Sequence, residues 1–299
     1  MSETVRIATR GSRLALWQAE WVAERLQAQG LRSQPVIVET QGDREQGAFS
    51  QMLGQGFFTK AVQDALLRGQ ADLAVHSLKD LPTHPTPGLV LAAIPVREDP
   101  REALLVHPQA MDPQAPVWPL RHGAKIGSSA VRRQAQLAQL RPDLERRELR
   151  GNVPTRVDRL RRGDYGAILL AWAGLKRLGL DLSDLQVRLL EVRELVPAPG
   201  QGALALECRE EDTRLRRILE GLDDPTARLT VAAERGLMAR LQGGCQLALG
   251  ANAQRVEGGL ELVAWYGGQR YAALGGGPED VIERVYGQLA RDHPEGVRP

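Results

Sequence analysis

The chain has 299 residues, of which 42% are hydrophobic and 25% charged, a composition typical of globular proteins with about two to three domains. No run of about 18 apolar residues is present, which excludes a transmembrane helix. The first residues, MSETVRIATRGSR, contain no apolar signal segment, so we expect a cytoplasmic protein.

The first hundred residues predict strands that alternate with helices. A short strand, TVRIATR, is followed by Gly11-Ser12 and then by a long helical pattern, LALWQAEWVAERLQAQG. Further strands are predicted at QPVIVET, ADLAVHS and GLVLAAIPV, with a helix at FFTKAVQDALLRGQ. This alternation is typical of βαβ units and a mostly parallel sheet.

A second unit of the same kind begins near residues 97–101. Its predicted strands are EALLVHP, AKIGSS, RRELRG and YGAILLAWAG, and its helices are AVRRQAQLAQL and VPTRVDRLRRG. One more apolar strand follows in PAPGQGALALECRE. A lone strand after a complete domain often returns to an earlier sheet, so we expect the first domain to be discontinuous, with crossovers near 97–101 and 195–200.

After residue 223 the pattern changes to a helix, three short strands with glycine turns, and a final amphipathic helix. The predicted fold class is therefore α/β, with two doubly wound domains and a small α+β domain at the C-terminus. We predict the boundaries as 1–98 with 197–220 for domain 1, 99–196 for domain 2 and 221–299 for domain 3.

Two Gly-Ser turns stand between a strand and a helix, one in IATRGSRLALW and one in KIGSSAVRRQ. Ser12, Ser128 and Ser129 could act only as helix N-caps. Free backbone N–H groups at a helix N-terminus also form an anion site. Because ligands of open α/β sheets bind at the carboxyl ends of the strands, two such turns favour a ligand cleft.

The segment AVHSLKDLPT, residues 74–83, takes an apolar strand directly into polar residues. Ser77, Lys79 and Asp80 could form a solvated turn with a local ion pair. Alternatively, Asp80 remains ionised beside Lys79 and stabilises a cation or accepts a hydrogen bond in the cleft.

Arginines recur where predicted strands end or helices begin. They could form a solvated basic face or bind nucleic acid. Acidic residues are interleaved with them, and no aromatic stacking platform accompanies them, so a ligand with several carboxylates fits better. The residues concerned are Arg132, Arg133, Arg150, Arg156 and Arg177.

The chain has two cysteines, Cys208 and Cys245, and five scattered histidines. Neither the cysteines nor the histidines have a metal-like spacing, so no metal site is expected. Cys245 lies in ARLQGGCQLALG, directly after two glycines. It could be a small buried residue, half of a disulfide or a chemical handle, although a reducing compartment disfavours the disulfide.

In their order and spacing, these motifs resemble one family over nearly the whole chain, the hydroxymethylbilane synthases, also called porphobilinogen deaminases. The stretches that carry the resemblance are RIATRGSRLALWQA, TQGD, AVHSLKDLPT, REDPREALL, IGSSAVRRQAQL, LRGNVPTRVDRL, AGLKRLG, PGQGALALE and GGCQLALG.

The resemblance implies a transferase of tetrapyrrole (haem or porphyrin) biosynthesis, with two domains like those of periplasmic binding proteins and a small third domain. It would join four porphobilinogens head to tail into hydroxymethylbilane and release ammonia at each step. It would act as a cytoplasmic monomer on this small molecule, with no nucleic-acid or membrane partner.

The resemblance also assigns roles to residues. Asp80 would be the catalytic aspartate, and a dipyrromethane cofactor would be attached to Cys245 through a thioether. The residues that would bind cofactor and substrate are Arg10, Ser12, Lys60, Ser77, Lys79, Ser128, Ser129, Arg132, Arg133, Arg150, Arg156 and Arg177.

The sequence departs from the family pattern at three positions. Ser128 replaces a threonine, Ala130 a serine, and Gln55 a lysine that is frequent in the glycine-rich loop. The second hypothesis from the residues is a non-catalytic two-domain protein that binds small carboxylate anions. A covalently bound pyrrole would distinguish the enzyme from this alternative.

Overall fold

A computed structural model describes residues 4–39, 59–242 and 247–294. The chain divides into two compact units. The first consists of Met1–Glu98 and Ala203–Ala232, and the second of Asp99–Gly202 and Ala233–Pro299. The first unit is therefore formed by two separate segments of the chain. The predicted division into three domains uses other boundaries and remains a prediction.

Helices and strands have the following bounds in the described residues. The helices are α1 Arg13–Ala28, α2 Lys60–Leu67, α3 Val131–Leu140, α4 Val153–Arg161, α5 Trp172–Leu178, α6 Thr213–Glu220, α7 Pro225–Arg240 and α8 Pro278–Asp292. The strands are β1 Val5–Thr9, β2 Ser33–Ile37, β3 Leu73–Ser77, β4 Leu89–Ala93, β5 Glu102–Val106, β6 Lys125–Gly127, β7 Glu145–Arg147, β8 Ala167–Ala171, β9 Gln186–Leu190, β10 Leu204–Arg209, β11 Gly250–Val256, β12 Gly259–Tyr266 and β13 Gln269–Gly275.

The first unit contains a five-stranded sheet in the order β2-β1-β3-β10-β4. Strand β1 is parallel to β2 and β3, whereas β10 is antiparallel to β3 and β4. Both faces of the sheet are apolar and covered by helices. Ile7 packs on one face with residues of α1 and α6, and Ala8 packs on the other with residues of α2. The alternation of side chains along β1 thus serves two cores.

Helix α1 begins where the Gly-Ser turn ends. The Oγ of Ser12 accepts a hydrogen bond from the N–H of Ala15 at 3.3 Å, which caps the helix. Its inner face buries Ala19, Val22 and Leu26 at helical spacing. The chain then leaves the helix through Gly30, whose φ of +81° favours glycine.

The second unit repeats this arrangement in the order β7-β6-β8-β5-β9. Strand β6 is parallel to β7 and β8, and β5 is antiparallel to β8 and β9. One face of the sheet packs against Leu137 of α3, and the other against Val157 of α4 and Leu175 of α5.

The second unit also contains an antiparallel sheet, β11-β12-β13, against which α8 packs. The β12–β13 turn uses Gly267 and Gly268, with φ of +57° and +87°, as tight hairpin turns require. The three sheets confirm the predicted fold class, α/β with a small α+β part. In the described segments, no helix combines the length and the apolar character needed to cross a membrane.

Candidate active site

A cavity of about 100 Å³ opens in the first unit at the carboxyl ends of β1 and β3. Four of the residues that sequence analysis selected lie together in its wall: Arg10, Ser12, Ser77 and Asp80. The remaining lining residues in the described part are Leu14, Ala15, Gln18, Thr59, Val62, Val75 and His76. This is the edge of the sheet at which ligands of α/β folds bind.

Asp80 is held at the rim of the cavity by a short 3-10 turn, Leu78–Asp80. The turn is anchored because Leu78 is fully buried and its N–H donates to the carbonyl of Ala203 at 3.0 Å. The carboxylate of Asp80 itself is exposed. Nearby, the Nε2 of Gln18 donates to the Oγ of Ser77 at 2.9 Å and fixes that hydroxyl.

Two lysines that the sequence predicts as binding residues, Lys60 and Lys79, are next in the chain to cavity residues, but they do not line the described wall of the cavity. Lys60 is the first residue of α2 and is exposed, whereas Lys79 lies in the middle of the 3-10 turn and is half-buried. Arg10, Ser12, Ser77 and Asp80 are therefore the predicted residues of this unit that meet in one cavity.

In the second unit, Arg132 and Arg133 are almost completely buried in the first turn of α3. Both bind the same carboxylate. The Nη2 of Arg132 is 2.6 Å from Oε1 of Glu102, and the Nη2 of Arg133 is 2.7 Å from Oε2. Their Nη1 atoms donate to the main-chain carbonyls of Val196 and Leu169 at 2.8 and 2.9 Å. A solvated basic face is thus excluded for these two arginines.

The cluster of Glu102, Arg132 and Arg133 carries more positive than negative charge. Burial lowers the pKa of Arg132, Glu102 opposes this effect, and the positive charge of Arg133 adds to it. The Nε of Arg133 is buried and has no hydrogen-bond partner among the residues that the structure describes. A buried cation with an unsatisfied N–H group favours an anion nearby.

The other predicted arginines are half-buried and follow the carboxyl ends of β7 and β8. An Nη atom of Arg150 binds Glu148 at 2.6 Å, and the Nε of Arg156 donates to the carbonyl of Gly151 at 2.6 Å. The Nη2 of Arg177 donates to the carbonyl of Gly202 at 2.7 Å. The guanidinium of each of these arginines is a planar fork of N–H donors.

The second Gly-Ser turn uses its hydroxyls within the protein. The Oγ of Ser129 donates to the carbonyl of Leu149 at 2.6 Å and accepts from its N–H at 3.1 Å. Ser128 is buried, and its Oγ accepts from the N–H of Ala130 at 3.4 Å. Ala130 is the N-cap residue of α3 and provides no side-chain cap.

Sequence analysis missed the buried polar partners of these residues. Glu102, Gln18, His76 and Glu207 were passed over because they lie in apolar strands or on a helix face that predicts core. The available signal was a charged or polar residue inside a buried segment, such as Glu207 in ALALEC.

Of the two cysteines, Cys208 lies in the described part of the chain. Cys245 lies outside the described residues, as does Gln55. Cys208 is completely buried in β10, and burial raises the pKa of its thiol to about 11. Cys208 is therefore an unreactive core residue.

Comparison with known proteins decides the family. The family model described as porphobilinogen deaminase, dipyromethane cofactor binding domain, matches residues 5–217. The chain belongs to the porphobilinogen deaminase family. The porphobilinogen deaminase of Syntrophotalea carbinolica is 46% identical over 265 residues, which cover 88% of this chain and 82% of that protein. The porphobilinogen deaminase of Geobacter sulfurreducens is 44% identical over 296 residues, covering 98% and 89%.

A solved structure, the periplasmic VFT2 domain of Bordetella pertussis BvgS, is 17% identical with a TM-score of 0.43, covering 73% of this chain and 85% of that chain. Membership of the porphobilinogen deaminase family confirms the predicted family, transferase activity, role in tetrapyrrole biosynthesis and dipyrromethane cofactor. The alternative, a non-catalytic binding protein, is not favoured.

Proposed function

We propose that the cavity around Asp80 is where this transferase joins porphobilinogen units, and that Cys245 carries the dipyrromethane. The observation that carries the proposal is the meeting of Arg10, Ser12, Ser77 and Asp80 at the carboxyl ends of β1 and β3. A carboxylate, a guanidinium and two hydroxyls match a substrate that becomes cationic and carries carboxylates of its own.

The reaction requires a carboxylate at this position. When ammonia leaves the aminomethyl group of porphobilinogen, the remaining pyrrole becomes a methylene cation. Asp80 accepts hydrogen bonds from pyrrole N–H groups and stabilises the positive charge as it develops. The anchored 3-10 turn keeps the carboxylate in place, so little reorganisation is needed during the reaction.

The arginines of the second unit fit the cofactor and the growing product. Each pyrrole carries an acetate and a propionate, and the guanidinium fork binds carboxylates in a bidentate manner. Arg150, Arg156 and Arg177 offer such forks, and the buried pair Arg132–Arg133 adds positive charge that Glu102 only partly compensates. When bound, the dipyrromethane supplies the pyrrole carbon to which the first substrate is added.

Lys60, Lys79, Ser128 and Ser129 complete the proposed binding set. Ser128 and Ser129 hold the turn that presents Arg132 and Arg133, and both lysines add positive charge near the cavity of the first unit.

The protein acts as a cytoplasmic monomer on a small molecule. A formal net charge of only +2 and the many arginine–carboxylate pairs favour such a ligand over nucleic acid. The proposal includes the division into three domains, 1–98 with 197–220, 99–196 and 221–299.

The mass of the intact protein tests the cofactor attachment. The purified enzyme should be heavier than its sequence by one dipyrromethane, and porphobilinogen should add a ladder of species, each heavier by one deaminated pyrrole. Cys245→Ser should lose both the added mass and the activity, whereas Cys208→Ser should keep both. A Cys245→Ser protein that is active without an adduct would refute the attachment.

A matched pair of variants tests the catalytic carboxylate. Asp80→Asn should keep the fold and nearly abolish turnover. Asp64→Asn removes a partly exposed carboxylate of the same unit, which pairs only weakly with Arg68 at 4.0 Å, and should turn over normally. Normal turnover of folded Asp80→Asn would remove this residue from the mechanism.

A further inference from the structure

His76 is a titratable residue of the cavity that the proposed function does not use. Among the described lining residues, the groups that titrate or carry charge are Arg10, His76 and Asp80. The residue is only 6% exposed and lies at the end of β3, four positions before Asp80. A histidine beside a catalytic carboxylate can move protons at neutral pH.

A buried carboxylate faces this imidazole from the neighbouring strand. The Nε2 of His76 is 3.0 Å from Oε2 of Glu207 on β10, and both side chains are about 5% exposed or less. The strand register explains their proximity, because Ala205 pairs with His76 and Glu207 pairs with Ala74 two positions before it. The pair therefore lies on one face of the sheet.

Glu207 is fixed in turn by α2. The Nε2 of Gln63 donates to both of its oxygens, at 2.9 and 3.2 Å, and Gln63 is buried as well. Burial of three polar side chains together is costly unless their hydrogen bonds are satisfied. The hydrogen bonding of His76 is incomplete, because in the described part of the chain its Nε2 has no partner in full hydrogen-bond geometry, although Oε2 of Glu207 is 3.0 Å away. Hydrogen bonds of this kind often tighten when substrate binds.

The arrangement selects one tautomer of the histidine. A carboxylate next to Nε2 favours the hydrogen on that nitrogen and leaves the lone pair on Nδ1. It also stabilises the imidazolium that forms when Nδ1 takes up a proton, as a buried carboxylate does for the histidine of a catalytic triad.

We propose that His76 is the proton acceptor of the condensation, with Glu207 as its positioning residue; this rests on the proposed function. The C–N bond of the protonated aminomethyl group breaks, and its electron pair leaves with the nitrogen as ammonia, which leaves the methylene cation. The π electrons of a pyrrole α-carbon form the new C–C bond to the methylene carbon. The C–H bond of that α-carbon then breaks, its electrons restore the aromatic ring, and Nδ1 of His76 takes the proton and passes it to water. Asp80 remains a carboxylate against the cation throughout.

The first experiment tests the tautomer on the protein that carries its cofactor, without turnover. Nitrogen chemical shifts of the ¹⁵N-labelled His76 imidazole should show hydrogen on Nε2 and a bare Nδ1, and Glu207→Gln should alter this signature. Hydrogen on Nδ1 with a bare Nε2 in the unsubstituted protein would overturn the proposal.

The second experiment uses porphobilinogen with deuterium on its free α-carbon. For the unsubstituted enzyme we expect deprotonation to be fast and the isotope effect to be small. His76→Gln should keep the cofactor mass, lose about 10²–10⁴-fold in turnover rate and show a primary isotope effect, because the C–H step becomes limiting. The matched control is His84→Gln, an exposed histidine outside the cavity wall, which should behave like the unsubstituted enzyme.

The outcomes separate the two proposals. If the unsubstituted enzyme adds no pyrrole to its cofactor, the proposed function fails whatever His76 does. If it does add pyrroles, a His76→Gln protein with full rate, or with a slow rate and no isotope effect, refutes the role of His76 alone. Should His76→Gln fail to fold, Glu207→Gln must show a smaller rate loss with an increased isotope effect, and an unchanged isotope effect refutes the proposal.

Discussion

Arg132 and Glu102 form a buried ion pair, with 2.6 Å between Nη2 and Oε1 and no solvent contact for the carboxylate. Because Arg133 binds the other oxygen, Glu102→Ala leaves two buried guanidinium groups without a counter-charge. We expect a loss of about 3–5 kcal/mol in the free energy of unfolding, measured by urea denaturation.

A surface pair provides the control for Glu102. Asp184 binds Arg161 at 2.8 Å, but both side chains are at least one-third exposed. Asp184→Asn should therefore cost less than about 1 kcal/mol. Equal losses in the two variants would show that burial of the Glu102 cluster does not contribute to stability.

The sequence allowed the fold class to be predicted because strand and helix patterns are local. In both IATRGSRLALW and KIGSSAVRRQ, a strand is followed by a Gly-Ser turn and then by a helix. This succession is enough to place Ser12 and Ser128 at the carboxyl ends of parallel strands. The cavity residues Ser12, Ser77 and Asp80 follow from the same local rule, whereas Arg10 is predicted only by the family resemblance.

What could not be predicted is the set of buried partners. The contact of Glu102 with Arg132 spans 30 positions, and that of Gln63 with Glu207 spans 144. No local pattern encodes such pairs, and arginine is rarely buried, so Arg132 and Arg133 were expected at the surface of a cleft. His76 and Glu207 were missed because each stands inside an apolar strand.

Asp72 should make the stability of the first unit depend on acid pH. Burial raises the pKa of this carboxyl, but hydrogen bonds from Arg6 and Arg209 outweigh burial and lower it from 3.8 to about 2. Asp72 stabilises the folded protein fully above the pKa that its carboxyl has in the unfolded chain. This stabilisation is lost as the pH falls toward the pKa of the carboxyl in the folded protein. At neutral pH it is at most about 2 kcal/mol, since salt screens the partly exposed Arg6.

The test compares the unsubstituted protein with Asp72→Asn in urea at several pH values. The difference in unfolding free energy should be constant from pH 7 to 5, and about half of it should be gone by pH 3. A difference that grows on acidification would contradict the lowered pKa of Asp72.

Thiol titration should report the different environments of the two cysteines. In the native protein no thiol should react with a disulfide reagent, because Cys208 is buried and its pKa is raised. After denaturation one thiol should react if Cys245 is tied up in a thioether. Two reactive thiols in denatured protein that has cofactor mass would place the cofactor on another residue.

Ala130 offers a way to stabilise α3. It occupies the N-cap position without a capping hydrogen bond, and Ala130→Ser supplies a hydroxyl that can accept from the first-turn N–H groups. We expect a gain of about 0.5–2 kcal/mol in the free energy of unfolding. Ala28→Ser, at the C-terminal end of α1, should give no gain.

Strand β10 lies between β3 and β4 in the first sheet, yet residues 204–209 follow β4 by more than a hundred positions. When the N-terminal segment emerges from the ribosome, β3 and β4 still lack β10, the strand that pairs with both of them. The sheet of the first unit can therefore be completed only after residues 99–202 have been synthesised. The sheet β7-β6-β8-β5-β9 needs no later strand. The nascent chain is therefore expected to complete that sheet first, and a chain halted near residue 200 should expose the unpaired edges of β3 and β4 to chaperones.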